Sequence, residues 1–361
     1  MTNFLPLSPA AWTFLSAYLL SLILVGWIGY RARREDTLSD FYLAGSGFGL
    51  IVLFLTLYAT QYSGNTLFGY TGKAYRIGFS WIMSVQFMTA IIVCYLLIAP
   101  RLYQKARERG YITPVDYLQD RFASGAISIL ATIILIVVLS NYLLAQLMAM
   151  GRAMQGMSET QPDLAYQYGV ILLTLIIVIY GTLGGIRAVA WTDAIQGLVL
   201  LLGFGILITL VVKQYGHISS VTNQILTSGD PLIVEKAKPP DADRLREWFS
   251  YIVMIGLGSV LYPQAIQRLY AARSAKVLRW SLAIMAFMPL MTALIATMIG
   301  VYAIVNIPGL EGAASDQVLA RILGEIQQGS VFGYWLVVLL LAAILAAMMS
   351  TADSALLSIS S

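Results

Sequence analysis

The chain has 361 residues, 59% of them hydrophobic and only 11% charged, with a formal net charge of +4 and a mean hydropathy of +0.78. A soluble domain carries about 45–50% apolar and about 25% charged residues, so this chain has too little polar surface to coat a water-exposed globule. A soluble enzyme, a disordered chain and a disulfide scaffold are excluded; the single cysteine, Cys94, forms no internal bridge, and the single histidine, His217, supplies neither a triad nor a metal cage.

A hydrocarbon core about 30 Å thick takes about 20 mostly apolar residues per helix. Segments at 10–30, 48–72, 79–100, 124–150, 165–184, 192–213, 247–271, 278–305 and 331–361 meet that requirement, which predicts an all-α polytopic membrane protein. The first segment has no basic start and no small-residue cleavage site, and Arg31, Arg33 and Arg34 follow it, so it reads as a retained helix rather than a signal peptide. With the N-terminus outside and residue 361 on the cytoplasmic side, thirteen of the 22 lysines and arginines fall in inner loops, Arg187 and Arg268 among them. Only four fall in short outer loops. The positive balance therefore reports membrane orientation and gives no reason to expect a nucleic-acid partner. The stretch 214–246, with its SSG, TSGDP and KPPDAD runs, reads as a polar, turn-forming extracytoplasmic loop.

Two apolar spans are interrupted. The centre of the second, Tyr58 to Gly72, holds Thr60, Gln61, Ser63, Gly64, Asn65, Thr66 and Gly69, residues that favour local side chain-to-backbone bonds over an unbroken ladder. The seventh carries Gly256, Gly258, Ser259, Tyr262, Pro263, Gln264 and Gln267, and Pro263 frees a carbonyl and predicts a kink. Unwound backbone inside a bilayer is tolerated where it faces a protein-lined cavity. Interrupted helices five spans apart point to an inverted-repeat transporter, with freed carbonyls available to a cation and a helix start available to a solute. Tight packing of small residues is the plainer explanation of either break on its own.

The ninth span places Ala347, Ser350, Thr351 and Ser354 at i, i+3, i+4 and i+7, one helical face of oxygen donors that suits a small hard cation. Two carboxylates lie in apolar surroundings: Asp353 within the ninth span, and Asp193 at the start of the sixth, where Thr192 and Asp193 would equally serve as a helix cap. Hydrogen-bonding residues at and beside the breaks are the substrate-facing candidates: Ser63, Asn65, Thr66, Gln86, Asn141, Gln146 and Tyr262. No buried arginine or lysine is evident beside the breaks, so the sequence offers no ionic partner for an anionic solute.

Four stretches, ATQYSGNTLFGYTGKAYRIGFSW, GGIRAVAWTDAIQG, GLGSVLYPQAIQR and LAAMMSTADSALLSISS, resemble the sodium:solute symporters, a family that includes sodium/proline, pantothenate and sodium/galactose carriers. The resemblance covers essentially the whole chain. It implies the five-plus-five inverted-repeat, LeuT-like fold, in which residues 10–30 form an extra helix, 48–213 the first repeat and 247–361 a partial second repeat, as though the chain were truncated at its C-terminus. It implies sodium-coupled symport of a small polar solute by alternating access in a bacterial inner membrane, and no enzymatic activity. The main sodium ligands it implies are the carbonyls of Ala59, Tyr62 and Ala347 with the hydroxyls of Ser350 and Thr351. A second cation, or a proton in its place, would fall to Asp193, Asp353 and Ser354. Gln61 stands where the sodium/proline carrier has an acidic residue, which argues against proline as the solute. The rival function is a transporter-like sensory module of a signalling protein.

Overall fold

The computed structural model of the chain describes residues 7–33, 35–156 and 162–361. Among the described residues the regular structure is helical, joined by one isolated β-bridge between Phe48 and Ala272. Helix α1 (Pro9–Arg31) begins beneath the Ser8 hydroxyl, which accepts from the Ala11 N–H, with proline in the first turn. The short α2 (Leu38–Leu43), capped by Thr37, leads to α3 (Leu50–Gln61). This helix stops after 12 residues, and the second span resumes as α4 (Gly64–Leu67) and α5 (Gly69–Ile77).

Helix α6 (Met83–Arg109) is followed by α7 (Pro114–Phe122), which starts in a capping box between Thr113 and Asp116, and then by α8 (Gly125–Gly156). Helix α9 (Pro162–Tyr215) has 54 residues. At about 1.5 Å per residue it is roughly 80 Å long, far more than a hydrocarbon core of about 30 Å accommodates. It bends at Gly185, where φ is 55° and ψ is −150°. A Cβ there would lie 2.5 Å from the Phe41 carbonyl oxygen, so both the backbone angle and the contact demand glycine. The apolar segments 165–184 and 192–213 are the two limbs of this bent helix.

The stretch 214–246 is not the turn-rich loop expected from its composition. It contains α10 (Ile218–Leu226) and α11 (Pro231–Glu235) and leads into α12 (Ala242–Gly258). The physical reason is position: Asp230 accepts from the Leu232 N–H ahead of Pro231, and Asp241 accepts from the Arg244 N–H, so these residues start helices rather than end them. After a 56° bend comes α13 (Pro263–Tyr270), then α14 (Ala275–Met285), α15 (Met288–Met291), α16 (Ala293–Asn306), α17 (Val318–Gly329) and α18 (Val331–Ser360).

Helix α18 is the axis of the packing. Its residues from Val337 to Ala355 are almost continuously buried against α9, α8, α17 and α3. Helix α8, by contrast, turns Ile129, Leu130, Ile133, Val137 and Leu144 outward, an apolar exterior that a bilayer can solvate and water cannot. The second half of the broken second span, α5, packs on α16 through Gly300. A Cβ at that position would sit 2.3 Å from the Thr71 carbonyl oxygen and 2.5 Å from the Ala74 Cβ. Gly300→Ala must push the two helices apart, at a cost of about 1–3 kcal/mol for an overpacked contact. Thermal unfolding of the detergent-solubilised variant should show a midpoint several degrees below that of the parent; an unchanged midpoint would mean that α5 and α16 do not approach this closely.

Candidate ion and solute site

The first break follows from backbone accounting. Tyr62 closes α3, its N–H on the Tyr58 carbonyl at 3.2 Å, and then turns to extended angles, φ −108° and ψ 114°. Ser63 restarts the chain as the cap of α4, its hydroxyl accepting from the Asn65 N–H at 3.2 Å. Residue 63, which would donate to the Ala59 carbonyl in a continuous helix, has left the ladder, so that carbonyl needs another partner. The Ser350 hydroxyl of α18 supplies it at 3.0 Å. The approach is close: a Cβ on Gly64 would lie 2.7 Å from the Met348 Cγ.

The same turn of α18 adds two further oxygens. The Ala347 carbonyl accepts from the Thr351 hydroxyl at 3.0 Å and lies 3.3 Å from the Ser350 hydroxyl. Ala59, Ala347, Ser350 and Thr351 are thus brought together, all of them buried. Tyr62 is buried at the break, and its carbonyl accepts no hydrogen bond among the described residues. Each hydroxyl proton here is directed onto a carbonyl. A cation entering the cluster would take the carbonyl lone pairs and the hydroxyl oxygens together, the oxygen-only coordination that hard cations prefer.

Beside this cluster lies an ion pair that the sequence reading missed. Arg268, on α13 just beyond the second break, is completely buried. Its Nη2 donates to Asp193 Oδ2 at 2.7 Å and to the Ser354 hydroxyl at 2.6 Å, its Nε to the Thr56 hydroxyl at 2.8 Å, and its Nη1 to the Gln264 carbonyl at 2.9 Å. The expectation that no buried arginine stands beside the breaks is therefore wrong. The side chain reads as a loop charge because it ends an apolar run and precedes Arg273, Lys276 and Arg279. One signal was available: Gln264 and Arg268 are four residues apart, on one face of a helix that begins at proline. Arg187 is likewise enclosed rather than in a loop, paired to both oxygens of Asp40 at 2.8 and 3.1 Å. Removing these two from the loops expected to face inward leaves eleven basic residues there against four.

Asp193 is not a helix cap. It lies eight residues past the bend, inside the second limb of α9, and Thr192 bonds back to the Ala188 and Val189 carbonyls. Besides Arg268, its Oδ2 accepts from the Thr56 hydroxyl, while its buried Oδ1 has no hydrogen-bond partner among the described residues. Asp353 accepts from the Tyr180 hydroxyl on one oxygen, and its other oxygen lies 3.1 Å from the Ser354 hydroxyl. Asp193, Asp353 and Ser354 thus share one enclosed network, but a guanidinium already sits between Asp193 and Ser354.

The second break repeats the pattern of the first. The Ser259 carbonyl accepts from the Tyr62-like closing residue Tyr262, N–H to oxygen at 3.0 Å, and from the Tyr95 hydroxyl of α6. The solute candidates divide. Ser63, Thr66 and Gln146 are buried, whereas Asn65, Gln86, Asn141 and Tyr262 are exposed. Helix α8 ties the breaks together: Tyr142 contacts the Tyr262 ring at 6.4 Å between centroids, and Ala149 lies against Gly64. Gln146 lies between them, its Oε1 without a hydrogen-bond partner among the described residues. Gln86 and Asn141 are tied to neither break by a hydrogen bond among the described residues.

A family model described as "SSF: Sodium:solute symporter family" matches residues 41–361. This chain belongs to the sodium:solute symporter family. It is an integral membrane protein, and the family and its named relatives are transporters. It is 27% identical over 313 residues to the uncharacterized symporter YhjB of Bacillus subtilis, an alignment covering 83% of the chain and 61% of the relative. It is also 27% identical over 264 residues to the sodium/pantothenate symporter of Escherichia coli, covering 73% of the chain and 54% of the relative. The chain thus spans little more than half of each of these proteins. A structure described as the substrate-bound outward-open state of a Na+-coupled sialic acid symporter superposes with a TM-score of 0.78 at 21% identity, over 97% of this chain and 72% of the other. The fold is accordingly the all-α, LeuT-like transporter fold.

Deleting one partner of a buried pair strands the other charge, at about 3–5 kcal/mol. Asp193→Asn and Arg268→Gln should each lower the thermal midpoint in detergent markedly, and the double variant should lose less than the sum of the two. Strict additivity would show that the two side chains do not interact.

Proposed function

We propose that the chain carries the ion-binding part of a sodium-coupled symporter that moves a small polar organic solute by alternating access. The observation that carries this reading is the meeting of the Ala59 carbonyl, freed by the first break, with the Ser350 hydroxyl at 3.0 Å and the Thr351–Ala347 contact beside it. Sodium would be held by the carbonyls of Ala59, Tyr62 and Ala347 and the hydroxyls of Ser350 and Thr351. The ion would join α3 to α18 in one state and not the other, and that differential affinity is what lets a sodium gradient drive a conformational change.

The solute would bind against the break beside it, held by Ser63, Thr66 and Gln146, with Asn65, Gln86, Asn141 and Tyr262 lining its approach. The relatives' names support a small polar molecule, since they include a pantothenate and a sialic acid carrier. Because the Ser354 hydroxyl is engaged by Arg268 and the Ser350 carbonyl, a second cation would fall to the carboxylates, where Asp193 Oδ1 remains open. The basic-residue count supports an N-terminus outside and residue 361 on the cytoplasmic side of an inner membrane.

The test is uptake by the full-length gene product in proteoliposomes, using a panel of labelled solutes with and without an inward sodium gradient. Uptake of the solute should require sodium. Ser350→Ala combined with Thr351→Ala should weaken apparent sodium affinity by about tenfold or more, since a contact worth about 1.4 kcal/mol is a factor of ten. Unaltered sodium dependence in that variant would refute the assignment of the ligands.

A further inference from the structure

One turn of α18 has two ends with different partners. At one end the Ser350 hydroxyl meets the Ala59 carbonyl in the oxygen cluster, while the Ser350 carbonyl accepts from the Ser354 hydroxyl. At the other end Ser354 receives Arg268 Nη2 at 2.6 Å, and the same nitrogen holds Asp193 at 2.7 Å. Through Nε on Thr56, one side chain from α13 binds α3, α9 and α18 together, and every one of its nitrogens is used. All these groups are enclosed, with Arg268, Asp193, Thr56 and Ser354 at 0% exposure.

The place of this knot in the fold gives it a consequence. The start of α3 and the end of α13 are stitched backbone to backbone: the Phe48 N–H donates to the Ala271 carbonyl at 3.1 Å, and the Arg273 N–H to the Phe48 carbonyl at 2.9 Å. Beyond the first break, by contrast, the end of α5 runs to the Lys236 carbonyl, which accepts from the Phe79 N–H at 3.0 Å. The two breaks therefore divide the broken spans into two faces. Arg268 lies on the face made by α3 and α13, where it closes them onto α9 and α18.

We propose that Arg268 is the latch of that face, and that Ser354 is the link through which a cation held by Ala59, Ala347, Ser350 and Thr351 keeps the latch shut. The inference rests on the ion site proposed above. A cation drawn between the Ala59 carbonyl and the Ser350 and Thr351 hydroxyls fixes α18 against α3. In that register the Ser350 carbonyl holds Ser354 where Arg268 reaches it. When the ion leaves, α3 and α18 are free to part, Arg268 loses its hold on α18, and the face can open. Ser354 and Arg268 are positioning residues in this scheme: neither touches the ion, and both transmit its presence.

Ala265, on α13, is 4% exposed and lines a small internal space with Thr60, Gln61 and Tyr95, which makes it a reporter of opening. Ala265→Cys in a Cys94→Ala background of the full-length protein is labelled with a water-soluble maleimide in sodium or in choline, alongside a count of bound 22Na+ per chain. Sodium should slow labelling by about tenfold or more, within the ordinary range of coupling between two sites. Adding Ser354→Ala should leave the 22Na+ count unchanged while making labelling fast and indifferent to sodium. Arg268→Lys, which keeps the charge on one nitrogen that cannot span three helices, should do the same. Sodium protection that persists in the Ser354→Ala reporter overturns the link, and so does a 22Na+ count that falls by one, because Ser354 would then be a ligand. A reporter that sodium never protects, in a protein that binds 22Na+, overturns the latch alone. Absence of 22Na+ binding overturns the ion site and the latch with it.

Discussion

Charge enclosed in a membrane protein has to be answered by other charge or by hydrogen bonds, because no solvent reaches it. Arg268 meets that demand with a carboxylate, two hydroxyls and a backbone carbonyl drawn from α3, α9, α18 and its own helix. Much else in the interior is arranged around satisfying it. Thr56 and Ser354 take hydroxyl positions where an apolar side chain would pack more cheaply, Asp193 stands inside a helix rather than at its start, and Tyr180 donates to the second carboxylate. The knot determines how α3, α9, α13 and α18 stand relative to one another.

The breaks obey the same rule at the level of the backbone. A carbonyl released by unwinding must find a donor within the protein. The Ala59 carbonyl finds the Ser350 hydroxyl, and the Ser259 carbonyl finds Tyr95. At the first break the substitute donor is a hydroxyl that can turn its own oxygen toward an ion; at the second it is a phenol on a packed helix. The two interruptions, alike in sequence, therefore differ in the chemistry of their substitute donors.

Much of this was legible in the sequence, and what was not has identifiable causes. Apolar runs, the polar centres at 58–72 and 256–267 and the hydroxyls at 350 and 351 stand out because each is anomalous for a bilayer. Asp193 and Asp353 are visible for the same reason. Arg268 was hidden because an arginine near the end of an apolar run looks like the first residue of a basic loop; only its spacing from Gln264 hints that it turns inward. The bend at Gly185 was hidden because neighbouring glycines in a membrane helix signal close packing as readily as a change of direction. The helix starts at Pro231 and Ala242 were missed because the TSGDP and KPPDAD runs read as turns, whereas Asp230 and Asp241 cap helices there.

The stitch between Phe48 and residues 271 to 273 is made by main-chain atoms alone. Its hydrogen bonds do not depend on which side chains stand there, and proline is barred from 48 and 273 because it lacks the donor; packing limits the rest, since Phe48, Ala271 and Ala272 are buried in the core. The spacing of the two helices at this join is thus written in main-chain atoms, and the side chains around it decide only how tightly the surrounding core closes over it.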